Sequence, residues 1–174
     1  MKKQILILVA AVLLSTVVSA QKYAFVDTDY ILSNIPAFNQ AQTELDELSK
    51  EYEKEINQQF AQLDELYKAY QAEKILLTED MRAKREEEII EKERAAKALQ
   101  NKRFGVDGDL FKKRQELIQP IQDQVFDAVK EIAEDGSYAF VFDKANQSAI
   151  MFADERYNKS DNVLKTLGIT PGTK

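Results

Sequence analysis

From Phe38 onward, apolar residues recur in steps of three and four: Phe38, Ala41, Leu45, Leu48, Tyr52, Ile56, Phe60, Leu63, Tyr67 and Tyr70. That period belongs to a helix with one apolar stripe. No glycine or proline falls between Ala37 and Phe104. The pattern predicts a first long helix over about 36–75, close to 60 Å at ~1.5 Å per residue. The stripe is not a strict heptad, because Leu45, Ile56 and Tyr67 lie eleven apart, a stutter that locally unwinds a left-handed supercoil. It changes direction at Ile75-Leu76-Leu77-Thr78. Thr78 followed by Glu79 and Asp80 reads as an N-cap with acids in the first turn. A second helix is predicted from Glu79 to about Ala133, antiparallel to the first. Gly105 and Gly108 interrupt it, and Pro120 removes a backbone donor and should kink it near its base. These three residues are expected to form a hinge.

On either side the period changes. Tyr23–Asp27, Tyr138–Asp143 and Ser148–Ala153 read as short strands, the last two as a hairpin closed at Ala145-Asn146-Gln147. Asp27 or Thr28 can cap a helical turn at Tyr30–Leu32. A short helix over Asp161–Leu167 has Ser160 as its candidate cap and Gly168 as its stop. The fold class expected is α+β: a long antiparallel α-helical hairpin, a coiled-coil arm, inserted in a small β-rich oligomerisation body. The body comprises residues 21–35 and 134–174, the arm 36–133.

Residues 1–20 read as a signal peptide. Lys2 and Lys3 precede the apolar run Ile5–Val18, and Val18-Ser19-Ala20 offers a cleavage site before Gln21. The run is short for a membrane span. Its removal takes two lysines and no acid, moving the formal charge from −6 to −8. The chain is therefore expected to be exported. An acidic balance speaks against a nucleic-acid partner. Cysteine and histidine are both absent, which excludes disulfides, thiol chemistry and imidazole-based catalysis. No cofactor and no metal is expected.

A two-helix arm leaves one side of each helix uncovered, and three short strands enclose little core. Several copies of the chain could build a shared body from Phe25, Val26, Phe140, Phe142, Ile150 and Phe152. An enzyme is the weaker reading. Asp27/Asp29 and Asp154/Glu155 are the carboxylate clusters near the body, and such pairs more often cap helices. The apolar tip at Ile75–Leu77 fits either packing of the turn or contact with a partner.

Three features together resemble the Skp/OmpH family of periplasmic chaperones. They are Tyr23-Ala-Phe-Val-Asp-Thr-Asp-Tyr-Ile-Leu32 after a signal peptide, a charged helical hairpin, and Tyr138-Ala-Phe-Val-Phe-Asp-Lys-Ala-Asn146 followed by a strand. Asn158–Leu167 also looks like the family's closing helix. The resemblance implies a homotrimer, with arms around a cavity. It implies a holdase that binds unfolded outer-membrane β-barrel proteins in the periplasm without ATP. Leu63, Tyr67, Tyr70, Ile75, Leu76, Leu77 and Met81 are then the candidate client-binding residues, some of which must instead seal the hairpin. Transient contact with a membrane surface is also implied. Residues 73–94 nevertheless hold eight acids and six bases, so a cationic lipopolysaccharide site is not carried over. The alternative function is a structural coiled-coil protein of the envelope, a spacer or tether.

Overall fold

The computed structural model describes residues 21–145 and 150–172. The expected signal peptide and the closing residues of the expected hairpin, 146–149, lie outside them. The described chain forms two compact units. One is Leu32–Val125, and the other combines the segments before and after it.

Within the first unit, helix α2 (Pro36–Glu73) starts where Ile35 is extended and Pro36 occupies the first turn. Proline suits that place because its missing N–H would have no helical partner there. The helix ends as Lys74 N–H donates to the Tyr70 carbonyl. After the turn, Thr78 caps helix α3 (Glu79–Phe104), its hydroxyl accepting from Met81 N–H at 3.4 Å. Glu79 and Asp80 lie in the first turn of α3, and Lys102 and Arg103 in the last. Each set opposes the partial charge of its helix end.

The expected second helix is in fact two. Helix α3 stops at Gly105, and α4 (Asp109–Gly136) begins four residues later. Pro120 lies inside α4, which runs through it without a break. Ala41 and Leu45 of α2 are buried with Ile118 of α4, and Phe38, Leu110, Leu117 and Ile121 pack around them. Farther along α2, Ile56 and Tyr70 are buried, as is Ala96 of α3.

In the second unit, β1 (Lys22–Val26) and β2 (Tyr138–Asp143) form a two-stranded parallel sheet. Tyr23 faces Phe140, Phe25 faces Phe142, and the register slips between Lys22 and Tyr23. Parallel strands need a long crossover, and here the whole helical run lies between them in sequence. The other edge of β1 is taken by the segment at Asn158, with Lys159 N–H donating to the Phe25 carbonyl at 2.8 Å. The predicted pairing of β2 with a following strand is not observed, since residues 150–153 carry no strand structure. The buried residues of this unit are Ala24, Phe25, Val26, Ile31, Ala128, Ser160, Val163 and Leu164.

A chain of polar contacts fixes helix α1 (Thr28–Ser33) and helix α5 (Ser160–Thr166) to the strands. Asp27 caps α1, accepting from Tyr30 N–H at 3.0 Å. Thr28 donates to Asp143 through its backbone at 3.2 Å and its hydroxyl at 2.7 Å. Ser160 is not the expected cap of its own helix. Its buried hydroxyl accepts from Asp27 N–H at 2.9 Å and donates to Asn158 Oδ1 at 2.7 Å. Gly168 ends α5 in the left-handed conformation at φ 74°, where a glycine avoids the Cβ penalty.

Candidate functional site

Two apolar surfaces stand out, one in each unit. The first belongs to the helical hairpin. The stripe of α2 divides between seam and solvent in a way its spacing does not show. Tyr70 is 4% exposed, and its phenol donates to the Glu86 carboxylate across the hairpin. Hydrogen bonding to that carboxylate, followed by burial, raises the Tyr70 pKa above its ordinary 10.0. Three residues earlier, Tyr67 is 51% exposed. At the turn, Ile75 and Leu76 are 88% and 85% exposed, and Met81 is also exposed. Leu63 and Leu77 are half-buried. Of the candidate client-binding residues, Tyr70 is therefore a seam residue, because its ring and hydroxyl are both engaged. The two adjacent aliphatics at the turn are the most open. The sequence reading missed Ile90 of α3, which is also exposed; it sits beside Ile89 and falls off the stripe.

Two basic residues of these helices show how local acids pair with them. Arg85 pairs with Glu88 at 2.9 Å and approaches Glu73 at 3.9 Å. Lys113 of α4 pairs with Glu116 at 3.1 Å and with Glu44 of α2 at 3.3 Å. These contacts raise the Lys113 ammonium pKa, Glu116 first and Glu44 next. Arg85 and Lys113 are thus each paired with neighbouring acids.

At the break between α3 and α4, the two glycines have a steric reason to be there. A Cβ on Gly105 would collide with the Asn101 carbonyl oxygen. One on Gly108 would sit 2.9 Å from the Arg103 and Lys102 carbonyl oxygens and the Gly105 nitrogen. The loop folds that tightly against the last turn of α3. Close approach accounts for both glycines without mobility.

The second surface is aromatic. Tyr23, Phe140 and Phe142 stack on one face of the two strands, with centroids 6.0 Å apart for Tyr23–Phe140 and 6.2 Å for Phe140–Phe142. Offset stacking at such distances adds to simple burial. Phe140 and Phe142 remain more than two-fifths exposed, and Phe152 and Met151 are almost fully so. A hollow of about 750 Å³ opens beside them, lined by Tyr23, Phe25, Phe142, Ile150, Phe152 and Tyr157 among others. Six residues were expected to be shared between copies. Phe25 and Val26 are instead already buried within a single chain. Ile150 is half-buried. Phe140, Phe142 and Phe152 are the ones left open.

One carboxylate of each pair weighed for catalysis serves as a cap. Asp27 caps α1. Asp154 caps the 3₁₀ turn Glu155–Tyr157, accepting from Arg156 N–H at 3.0 Å. Arg156 also pairs with Asp154 through its side chain at 2.8 Å, which holds the Asp154 carboxyl below its ordinary 3.8.

A model of the family described as outer membrane protein (OmpH-like) matches residues 22–167. No curated protein matches the chain. Among solved structures, the fold is similar to a crystal structure of a candidate outer membrane chaperone (OmpH-like) from Caulobacter crescentus CB15. The TM-score is 0.66 at 13% identity, over 90% of each chain. At that identity the likeness establishes the fold, an α+β arrangement of long helices with a small sheet.

Proposed function

Because this chain belongs to the OmpH-like outer membrane protein family, we propose that it is an ATP-independent holdase chaperone of the periplasm. Its clients are unfolded outer-membrane β-barrel proteins, and it reaches them by export through residues 1–20. The observation that carries this reading is the division of the α2 stripe. The hairpin seals Tyr70 yet leaves Tyr67, Ile75, Leu76 and Met81 open to solvent. Scattered apolar residues on a surface are ordinary, but adjacent aliphatics presented at a helical turn favour contact with an apolar partner. Weak contacts spread along a hairpin suit a holdase, which must bind an unfolded chain and later release it. Binding the unfolded client lowers the free concentration from which aggregates grow.

The same reading makes the aromatic face of β1 and β2 a contact between copies, three of which form the working assembly. Phe140, Phe142 and Phe152 are the residues proposed to meet there. No catalytic step, cofactor or nucleic acid enters this function.

The test is dilution of a urea-unfolded β-barrel membrane protein into buffer with and without the chaperone, followed by light scattering. Suppression at near-stoichiometric trimer is expected. Scattering that is unchanged by the protein would refute the chaperone function and leave the structural spacer. The break at Gly105–Gly108 already fits a stiff spacer poorly.

A further inference from the structure

The break between α3 and α4 is spanned by one side chain. Arg103, in the last turn of α3, donates through one terminal nitrogen to Asp109 Oδ2 at 2.6 Å, the residue that opens α4. Its Nε and its other terminal nitrogen both lie 3.0 Å from Glu55 Oε2 on α2. The guanidinium also lies over the ring of Tyr52, 4.3 Å from its centroid. Phe104 meets the same ring edge-on at 6.2 Å. One cation thus contacts all three helices of this unit at the point where the backbone ladder stops. The planar fork of arginine permits this, offering several donors in fixed directions while stacking on an aromatic face.

We propose that Arg103 is a charged latch that sets the orientation of α3 relative to α4. The loop packs closely on the last turn of α3, but its backbone bonds do not reach from α3 to α4. Within it, Gly108 N–H donates to the Gly105 carbonyl, and Lys112 N–H reaches back to Gly108. Neither bond joins α3 to α4 directly. The Arg103 side chain is 22% exposed, Glu55 40% and Asp109 29%. The latch is therefore sheltered enough to hold and open enough for salt to weaken, since the screening length falls to about 3 Å at 1 M ionic strength. Its release would loosen the base of α3 at residues 105–108, while Tyr70–Glu86 still joins α3 to α2 nearer the tip and the Ala41–Leu45–Ile118 core keeps α2 and α4 together. This inference concerns the free protein and does not depend on the chaperone reading.

The chain has no cysteine, so spin labels can be placed uniquely at Lys92→Cys on α3 and Gln115→Cys on α4, with labelled chain diluted into unlabelled chain. Pulsed dipolar spectroscopy then reads the width of the distance distribution. The wild-type chain should give a narrow distribution at low salt that broadens at high salt. Arg103→Gln should be broad at both, wider by roughly twofold at low salt, because an unlatched joint samples several orientations. Glu55→Gln should broaden the distribution without removing the cation. Arg85→Gln, which removes a surface pair elsewhere on α3, should leave it narrow. Circular dichroism checks that each variant keeps its helices. Equal widths for wild type, Arg103→Gln and Glu55→Gln at low salt would overturn the latch, as would equal broadening by Arg85→Gln.

Discussion

The phenol of Tyr70 and the carboxylate of Glu86 meet across the turn of the hairpin, Tyr70 as donor. The contact joins α2 to α3 just below the exposed aliphatics of the tip, so seam and open surface adjoin. The proton of Tyr70 is held there, and its pKa is raised above 10.0, first by the bond to Glu86 and then by burial. A raised folded-state pKa contributes stability that is complete below the unfolded value and is lost as pH rises through the folded one. The hairpin should therefore lose stability above about pH 10, where an ionised phenolate would face Glu86. Thermal midpoints measured from pH 8 to 11 should fall more steeply for wild type than for Tyr70→Phe. Parallel curves would show that the contact does not stabilise the fold.

Seam and tip should separate cleanly by mutation. Leu45 is buried against Ile118, and Leu45→Ala should cost about 2–5 kcal/mol in a denaturant titration. Leu76 is almost fully exposed, and Leu76→Ser should stay within about 0.5 kcal/mol of wild type. Combined replacement of Tyr67, Ile75, Leu76 and Met81 by serine should leave the helical signal intact and weaken suppression of client aggregation. If the combined variant protected a client as well as wild type did, the tip would not be the contact surface.

Phe140 and Phe142 are exposed in the single chain but are proposed to be covered in the assembly. Phe140→Asp with Phe142→Asp should shift the mass measured by light scattering from trimer to monomer, since a buried unpaired carboxylate is strongly unfavourable. The same pair of changes should leave the helical content of each chain unaltered. A trimer mass for this variant would place the assembly contact elsewhere.

Ser160 is a buried polar residue in the core of its unit, and its hydroxyl joins Asp27 to Asn158. Ser160→Ala strands the Asp27 N–H and should cost about 1–3 kcal/mol. Ser160→Thr keeps the hydroxyl, and its recovery of stability, read by thermal melting, would separate the lost bond from lost packing.

Gly105→Ala places a methyl against the Asn101 carbonyl. Rather than stiffening the joint, it should unwind the last turn of α3. Reduced ellipticity and faster hydrogen exchange near Asn101 would report this, whereas unchanged exchange would show that the loop can yield.

Much of the helical architecture is local and was legible. Pro36 starts α2, Thr78 caps α3, and the glycine pair marks the break, because each acts through its own backbone or its nearest turn. The strand pairing was not legible in the same way. A short connection at Ala145 suggested a hairpin, yet β2 pairs with β1, whose partner residues lie at the other end of the chain. Strand partners are chosen by side-chain packing and by which edges remain free, neither of which is a property of a short window. Tyr67 and Tyr70 show the same limit within one helix. Both belong to the stripe, but α3 covers one and leaves the other in solvent.

The sequence by itself determined that Pro36 and Thr78 start long helices, that two of them fold back at Ile75–Thr78, and that the chain lacks thiol and imidazole chemistry. Period, caps and composition act over a few residues, so they can be read directly. The tertiary structure decided which aromatic residues are core and which are surface, and that the β-strands run parallel. It also decided that Arg103 would find Glu55, Tyr52 and Asp109 together. Those outcomes depend on contacts between residues distant in sequence, fixed only when the helices and strands pack.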